Sequence, residues 1–252
     1  MTTNFDCTLN GIALSSLFDQ IYVTDVIEDA PRMHESILPL HSGGQQVLTR
    51  QRQSISIRVR FTILEALPPL RSFILQQIQQ WALQSGYLTI SARPGQQLHV
   101  SCTGVPTLST DDWTEVLTLT FTSTRVPYWE DAVVTTGKGT GAVNLTVPGI
   151  APVTPVEAVL LNTSASTIRE VTVNCGSSHI TFQGIAMASG GQLVISQVDG
   201  NFVATLDGAS ILHHRTMDSA DELLVPCGQS VTMSIAASQP IYAFYHVRGR
   251  YL

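Results

Sequence analysis

Polar and apolar residues alternate with period two along most of the chain, the signature of strands that bury one face. The clearest run is Ser54-Ile55-Ser56-Ile57-Arg58-Val59-Arg60-Phe61-Thr62-Ile63. Ile55, Ile57, Val59, Phe61 and Ile63 fall on one face, and the serines, arginines and Thr62 on the other. Val116-Leu117-Thr118-Leu119-Thr120-Phe121-Thr122 repeats the pattern with Leu117, Leu119 and Phe121 inward. Leu88-Thr89-Ile90-Ser91 and Leu98-His99-Val100-Ser101-Cys102 read as two strands joined at Arg93-Pro94-Gly95-Gln96, a turn by its Pro-Gly.

One stretch switches to the helical period. Pro68 and Pro69 suit a first turn, where the missing N–H costs nothing. Leu70, Ile74, Ile78 and Trp81 then follow on one stripe with Phe73 beside them, while Gln76, Gln77, Gln79 and Gln80 lie mostly off it. With Gly86 as the C-terminal stop, this predicts a helix over 68–85 docked on a sheet. Residues 30–53 carry charged and polar stretches, Pro31, Pro39 and Gly43-Gly44, and read as a long hairpin or arm. Its polar residues Arg32, His34, Gln45, Arg50 and Arg52 are the candidates for contact with a neighbouring subunit.

After Phe121 the composition shifts. Four glycines and four prolines between 123 and 155 read as a linker. Beyond it, short alternating segments at 156–162, 170–175, 179–182, 192–196, 202–206, 222–225, 229–234 and 241–247 are spaced by turns such as Asp199-Gly200 and Asp207-Gly208. The expected fold is all-β with one helix, in two β-sandwich domains: 1–130 with the docked helix, a linker at 131–155, and 156–252.

Composition narrows the function. Charged residues make up only 13% of the 252, against roughly 25% in an ordinary soluble chain, which points to a surface that faces other protein. The net charge of −6 is spread evenly along the chain, with a single lysine, Lys138, and no basic cluster. Tight binding to nucleic acid needs clustered Lys and Arg to displace counterions, so such binding is not expected, and DNA could pass such a surface without sticking. No apolar run approaches the roughly 18 residues that span a bilayer, and Met1-Thr2-Thr3-Asn4-Phe5-Asp6 has no signal-peptide character. A cytoplasmic origin and four free core thiols (Cys7, Cys102, Cys175, Cys227) are expected.

Motifs for catalysis are missing. His213-His214-Arg215-Thr216-Met217-Asp218 is the densest polar cluster, but adjacent histidines in a strand point to opposite faces, and the HExxH spacing is absent. Gly137-Lys138-Gly139-Thr140-Gly141 has the wrong order for a phosphate loop and no helix after it. There is no G-x-S-x-G elbow. No catalytic residue, metal or cofactor is expected. The rival function from another class is a lectin-like module for host-surface carbohydrate, for which an exposed aromatic would stack on a sugar ring. The second domain has no Trp, and alternation puts Tyr242 and Phe244 together on one face, read as core.

The order of these elements resembles a known family. Phe5-Asp6-Cys7-Thr8-Leu9-Asn10-Gly11-Ile12 is followed by Ile21-Tyr22-Val23-Thr24-Asp25-Val26, the Ala30-Pro31-Arg32 step, the glycine-bearing hairpin and the arginine-containing strand. Then come the helix ending in Trp81-Ala82, Gly86-Tyr87-Leu88, and Arg93-Pro94-Gly95-Gln96-Gln97-Leu98. This series is similar to the N-terminal domain of the distal tail (Dit) proteins of long-tailed, siphovirus-type bacteriophages. Thr181-Phe182-Gln183-Gly184-Ile185 and Val247-Arg248-Gly249-Arg250 look similar to segments of their second, galectin-like domain. The resemblance implies a non-enzymatic structural subunit of the virion. It implies a homo-hexameric ring whose partners are the tail tube protein and the tail-tip or baseplate hub, with a channel for DNA and no membrane contact.

Overall fold

The computed structural model describes residues 5–29, 33–39, 45–107, 115–153, 155–198 and 201–252. The chain divides into two compact units, Met1–Trp129 and Glu130–Leu252. Strands dominate both, and Pro68–Ala82 is the one α-helix among the described residues.

In the first unit the strands are β1 (Cys7–Leu9), β2 (Ile12–Ala13), β3 (Ile21–Asp29), β4 (Met33–Pro39), β5 (Gln45–Arg52), β6 (Ser56–Ile63), β7 (Gly86–Ile90), β8 (Gln96–Gly104) and β9 (Leu117–Ser123), with the helix α1 between β6 and β7. All but β4 and β5 join one antiparallel sheet in the order β2-β1-β7-β8-β9-β6-β3. The alternation in β6 and β9 places Ile57, Val59, Phe61, Leu117, Leu119 and Phe121 in the core, as expected. Trp81 of α1 meets Phe121 edge-to-face, with ring centroids 6.1 Å apart.

Two details of the helix differ from expectation. The buried residues are Arg71, Ile74, Leu75, Ile78, Trp81 and Ala82, while Leu70 and Phe73 are exposed. The stripe is therefore rotated by part of a turn from the one predicted. The helix also stops at Ala82, with Leu83 as a right-handed C-cap. Gly86 is instead the first residue of β7, where a Cβ would lie 1.8 Å from Asn10 Oδ1. It allows Asn10 to approach and accept the Tyr87 N–H at 3.1 Å, a close backbone approach of the kind that calls for glycine.

β10 (Trp129–Asp131) spans the boundary between the units. The second unit contains β11 (Thr135–Thr140), β12 (Ala142–Thr146), β13 (Glu157–Asn162), β14 (Ile168–Cys175), β15 (Ser178–Met187), β16 (Gln192–Val198), β17 (Asn201–Leu206), β18 (Ala209–Ser210), β19 (Ser230–Ala237), β20 (Ile241–Val247) and β21 (Arg250–Tyr251). One sheet runs β11-β20-β13-β16-β17-β18 and another β12-β19-β14-β15. Both sheets contribute to one continuous core, with Leu160, Leu193, Ala243 and Tyr245 from the first and Val173, Ile180, Phe182 and Met233 from the second.

The stretch over 131–155 that reads as a linker in the sequence contains β11 and β12, each paired in a sheet. Gly137 faces the core, and a Cβ there would lie 2.2 Å from Leu145 Cδ2. Glycine in this strand makes room for a packed neighbour, and composition alone cannot distinguish that use from a hinge. The segment 222–225 forms no strand; Val225 makes only an isolated bridge to Val153.

Candidate functional site

The arm expected over 30–53 is a hairpin. β4 and β5 pair antiparallel from Met33↔Arg52 to Pro39↔Gln45, with an irregularity after Ser36, and among the described residues they pair only with each other. The hairpin connects β3 to β6, whose own ladder ends at Asp29↔Ser56. Of the candidate contact residues, His34 is exposed opposite Gln51, and Arg50 and Gln45 sit in register with Glu35 and Pro39. The Arg52 guanidinium lies 5.0 Å above the Tyr128 ring, so it is engaged within its own unit. Arg32 lies outside the described residues, as do Gly43, Gly44, Asp111, Asp112, Trp113 and the Asp199-Gly200 turn.

Charged contacts fix the root of the hairpin. Arg58 Nη2 donates to Asp29 Oδ1 at 2.6 Å. The neighbouring Glu28 takes Arg93 Nε and Nη2 on its two oxygens at 2.8 and 3.0 Å, and Oε1 also accepts from Trp129 Nε1 at 3.0 Å. A two-point guanidinium–carboxylate pair fixes orientation as well as distance. No local pattern reveals this network, because its members are 28, 93 and 129 along the chain.

A second surface lies on α1 and the turn before it. Leu64, Leu67, Leu70, Phe73 and Leu83 are exposed. The only charged residue in the helix, Arg71, is buried with its Nη2 4.0 Å from Glu115 Oε2. The solvent-facing side of the helix thus exposes leucine, phenylalanine and glutamine without charge, a composition suited to contact with protein.

The second unit presents a different face. In β20 the buried residues are Ile241, Ala243, Tyr245 and Val247, so Tyr242, Phe244 and His246 point away from the core. The expectation that Tyr242 and Phe244 pack in the core is therefore corrected. Both are half-buried on the outer face, with ring centroids 5.0 Å apart in an edge-to-face contact. Alternation separates two faces but does not say which one meets the other sheet.

No group of three metal-ligating side chains occurs among the described residues. His213 and His214 are not in a strand but in a 3-10 turn, where their rings lie 4.1 Å apart, and His214 Nδ1 is 2.8 Å from the Gln183 carbonyl. All four cysteines are free, and burial pushes each thiol above its ordinary range, Cys7 most of all. None is an activated nucleophile. Among the described residues no helix is long and apolar enough to cross a membrane.

No family model matches the sequence, and no curated protein matches it. Solved structures do match by fold. The crystal structure of the SPP1 Dit protein (gp 19.1), described as a paradigm of the hub adsorption apparatus of phages infecting Gram-positive bacteria, superposes with a TM-score of 0.73 at 11% identity. The match covers 97% of this chain and 98% of that one. A chain of the phage P2 baseplate in its activated, Ca-bound conformation gives 0.52 at 8% identity over 96% and 97% of the two chains. The Sr-bound form gives 0.50 at 8% over 98% and 99%. At such identities the likeness is one of fold, and it extends over nearly the whole of this chain and of each of those chains.

Proposed function

We propose that the protein is a distal tail protein, a structural hub at the tail tip of a long-tailed bacteriophage or prophage. Six copies form a ring that joins the tail tube protein to the tip or baseplate hub and leaves a channel through which DNA passes. It acts by assembly, not by catalysis. The observation that carries this reading is the match to the SPP1 Dit fold from end to end, with nearly complete coverage of both chains. Fold alone does not fix function, but three further features agree with it. Charge is sparse and net acidic, without the basic clusters that would arrest passing DNA. The exposed side of α1 is uncharged and includes Leu70 and Phe73. Among the described residues β4 and β5 pair only with each other, and in this reading the hairpin clasps a neighbouring copy in a heterologous contact of the kind that closes rings.

The reading is tested by immunogold labelling of virions from the encoding genome with antibody raised to this chain. Label is expected at the distal end of the tail tube. Label on capsids, or virions without the protein, would overturn it.

A further inference from the structure

The exposed apolar residues before and along α1 are not scattered. Leu64, Leu67, Leu70 and Phe73 recur at every third position through the turn before the helix and its first turns, and all four are exposed, Leu67 at 63%. Pro68 and Pro69 between them are exposed too. Phe73 meets Phe18 edge-to-face, with ring centroids 6.0 Å apart. From 64 to 85 the only charged residues are Glu65 and Arg71, and both are engaged within the unit. Glu65 Oε1 accepts the Leu67 N–H at 2.8 Å, and Arg71 is buried beside Glu115. The patch is therefore apolar and uncharged, and water is a poor partner for it.

A matching segment is in the chain itself. Of residues 33–52, the charged ones are Glu35, Arg50 and Arg52, all near the root of the β4–β5 hairpin. The distal half, 36–48, has no Asp, Glu, Lys or Arg and contains Ile37, Leu38, Leu40, Val47 and Leu48. Ile37 and Val47 are opposite each other in the register. Among the described residues β4 and β5 pair only with each other.

The hairpin and the patch start from opposite ends of one ladder. β3 and β6 pair from Ile21↔Ile63 to Asp29↔Ser56, a length of about 23 Å at the rise of a strand. The hairpin is rooted at the Asp29–Ser56 end, and Leu64 follows Ile63 at the other. A projection at one end and a patch at the other are the two unlike halves of a heterologous contact, in which each copy supplies one and receives the other.

We propose that the distal half of the β4–β5 hairpin of one copy docks on the patch formed by Leu64, Leu67, Leu70 and Phe73 of the next. The contact rests on the hub reading, in which copies of this chain assemble, and adds which surfaces meet. Two uncharged surfaces close on each other without stranding a charge, whereas a charged partner would be desolvated against the leucines.

The test is photo-cross-linking of the full chain with benzoylphenylalanine in place of the exposed Phe73, with mass photometry of the same samples. Irradiation runs from micromolar to millimolar concentration, with and without the tail tube protein. Cross-links between copies are expected, and mass spectrometry should place them within 33–52. Ile37→Glu with Val47→Glu should lower their yield by about tenfold or more. Leu67→Glu with Leu70→Glu, at exposed positions outside the core, should do the same, and so tests the patch even if the hairpin variant misfolds. Cross-links that map elsewhere, that stay within one chain, or that Leu67→Glu with Leu70→Glu leaves unchanged would overturn the proposal. No cross-link at any concentration would also overturn it and leave the patch to another tail protein. The mass judges the hub reading separately. Rings with cross-links elsewhere would keep that reading and sink this contact, whereas open dimers cross-linked within 33–52 would keep the contact and sink the ring.

Discussion

Trp129 donates its indole N–H to Glu28 over 3.0 Å, joining residues 101 apart in the chain. Trp129 is fully buried, and Arg93 lies 5.2 Å over its ring while binding the same carboxylate at two points. Glu28 is thus the acceptor on which the end of β3 depends. Glu28→Ala leaves the indole N–H and the guanidinium without their partner. We expect a loss of about 2 kcal/mol, or roughly 4–8 °C in the melting temperature of the first unit, read by thermal denaturation followed by near-ultraviolet circular dichroism. An unchanged melting curve would show that the network orients without stabilising.

Gly137 tests the difference between linker and strand. If it serves a hinge, a side chain there is tolerated. If it makes room for Leu145, as the 2.2 Å approach requires, Gly137→Val overpacks the second core and costs about 1–3 kcal/mol. Urea unfolding of the full chain distinguishes the two, since the midpoint of the second unit should fall while that of the first stays in place.

Asn162 matches the glycosylation triplet with Thr163 and Ser164, but it is only 1% exposed. Its amide N–H groups donate to the carbonyls of Ser166, Met187 and Ala188, and its Oδ1 accepts from Ser164. Asn162→Asp would turn a buried carboxylate toward three carbonyl oxygens and cost about 3 kcal/mol at neutral pH. Burial and those carbonyls raise the folded-state pKa of the new acid above its unfolded value. The protonated form is therefore the better tolerated one. The deficit relative to wild type should grow as pH rises above the ordinary aspartate range of about 4 and shrink below it. A pH-independent deficit would contradict this account.

Tyr245 is fully buried, and its hydroxyl has no hydrogen-bond partner among the described residues. Burial also pushes its phenol well above the usual range. Tyr245→Phe removes an unsatisfied polar group and should be neutral or stabilising by up to about 1 kcal/mol. Tyr245→Ala opens a core cavity and should cost about 3–5 kcal/mol. The two variants, compared by chemical denaturation, separate the contribution of the ring from that of its hydroxyl.

These residues also mark how far the sequence could be read. Period-two alternation located β6, β9, β13, β16 and β20 within a residue or two, because one face of each must be buried and the other need not be. The same rule failed on Tyr242 and Phe244, since it supplies two faces and leaves their assignment to the partner sheet. The helix stripe was offset for a similar reason. Leu70 and Phe73 carry the apolar signal, yet Arg71 and Leu75 occupy the buried side. Of the candidate contact residues, Arg52 is drawn to Tyr128 across 76 positions of sequence, a pairing no local pattern reveals. In the second unit, register aligns Thr136, His246, Glu157 and Ser196 across β11, β20, β13 and β16, an order that no local pattern reveals.

The central claim is a closed six-membered ring, and it is tested most directly by mass photometry and negative-stain imaging of the purified chain, alone and with residues 33–52 deleted. The account expects a particle of about 164 kDa, six copies of 27.3 kDa, six-fold with a central hole, and a shift to smaller species when the hairpin is removed. A strict 27.3 kDa monomer at every concentration, with no ring formed on adding the tail tube protein, would contradict it.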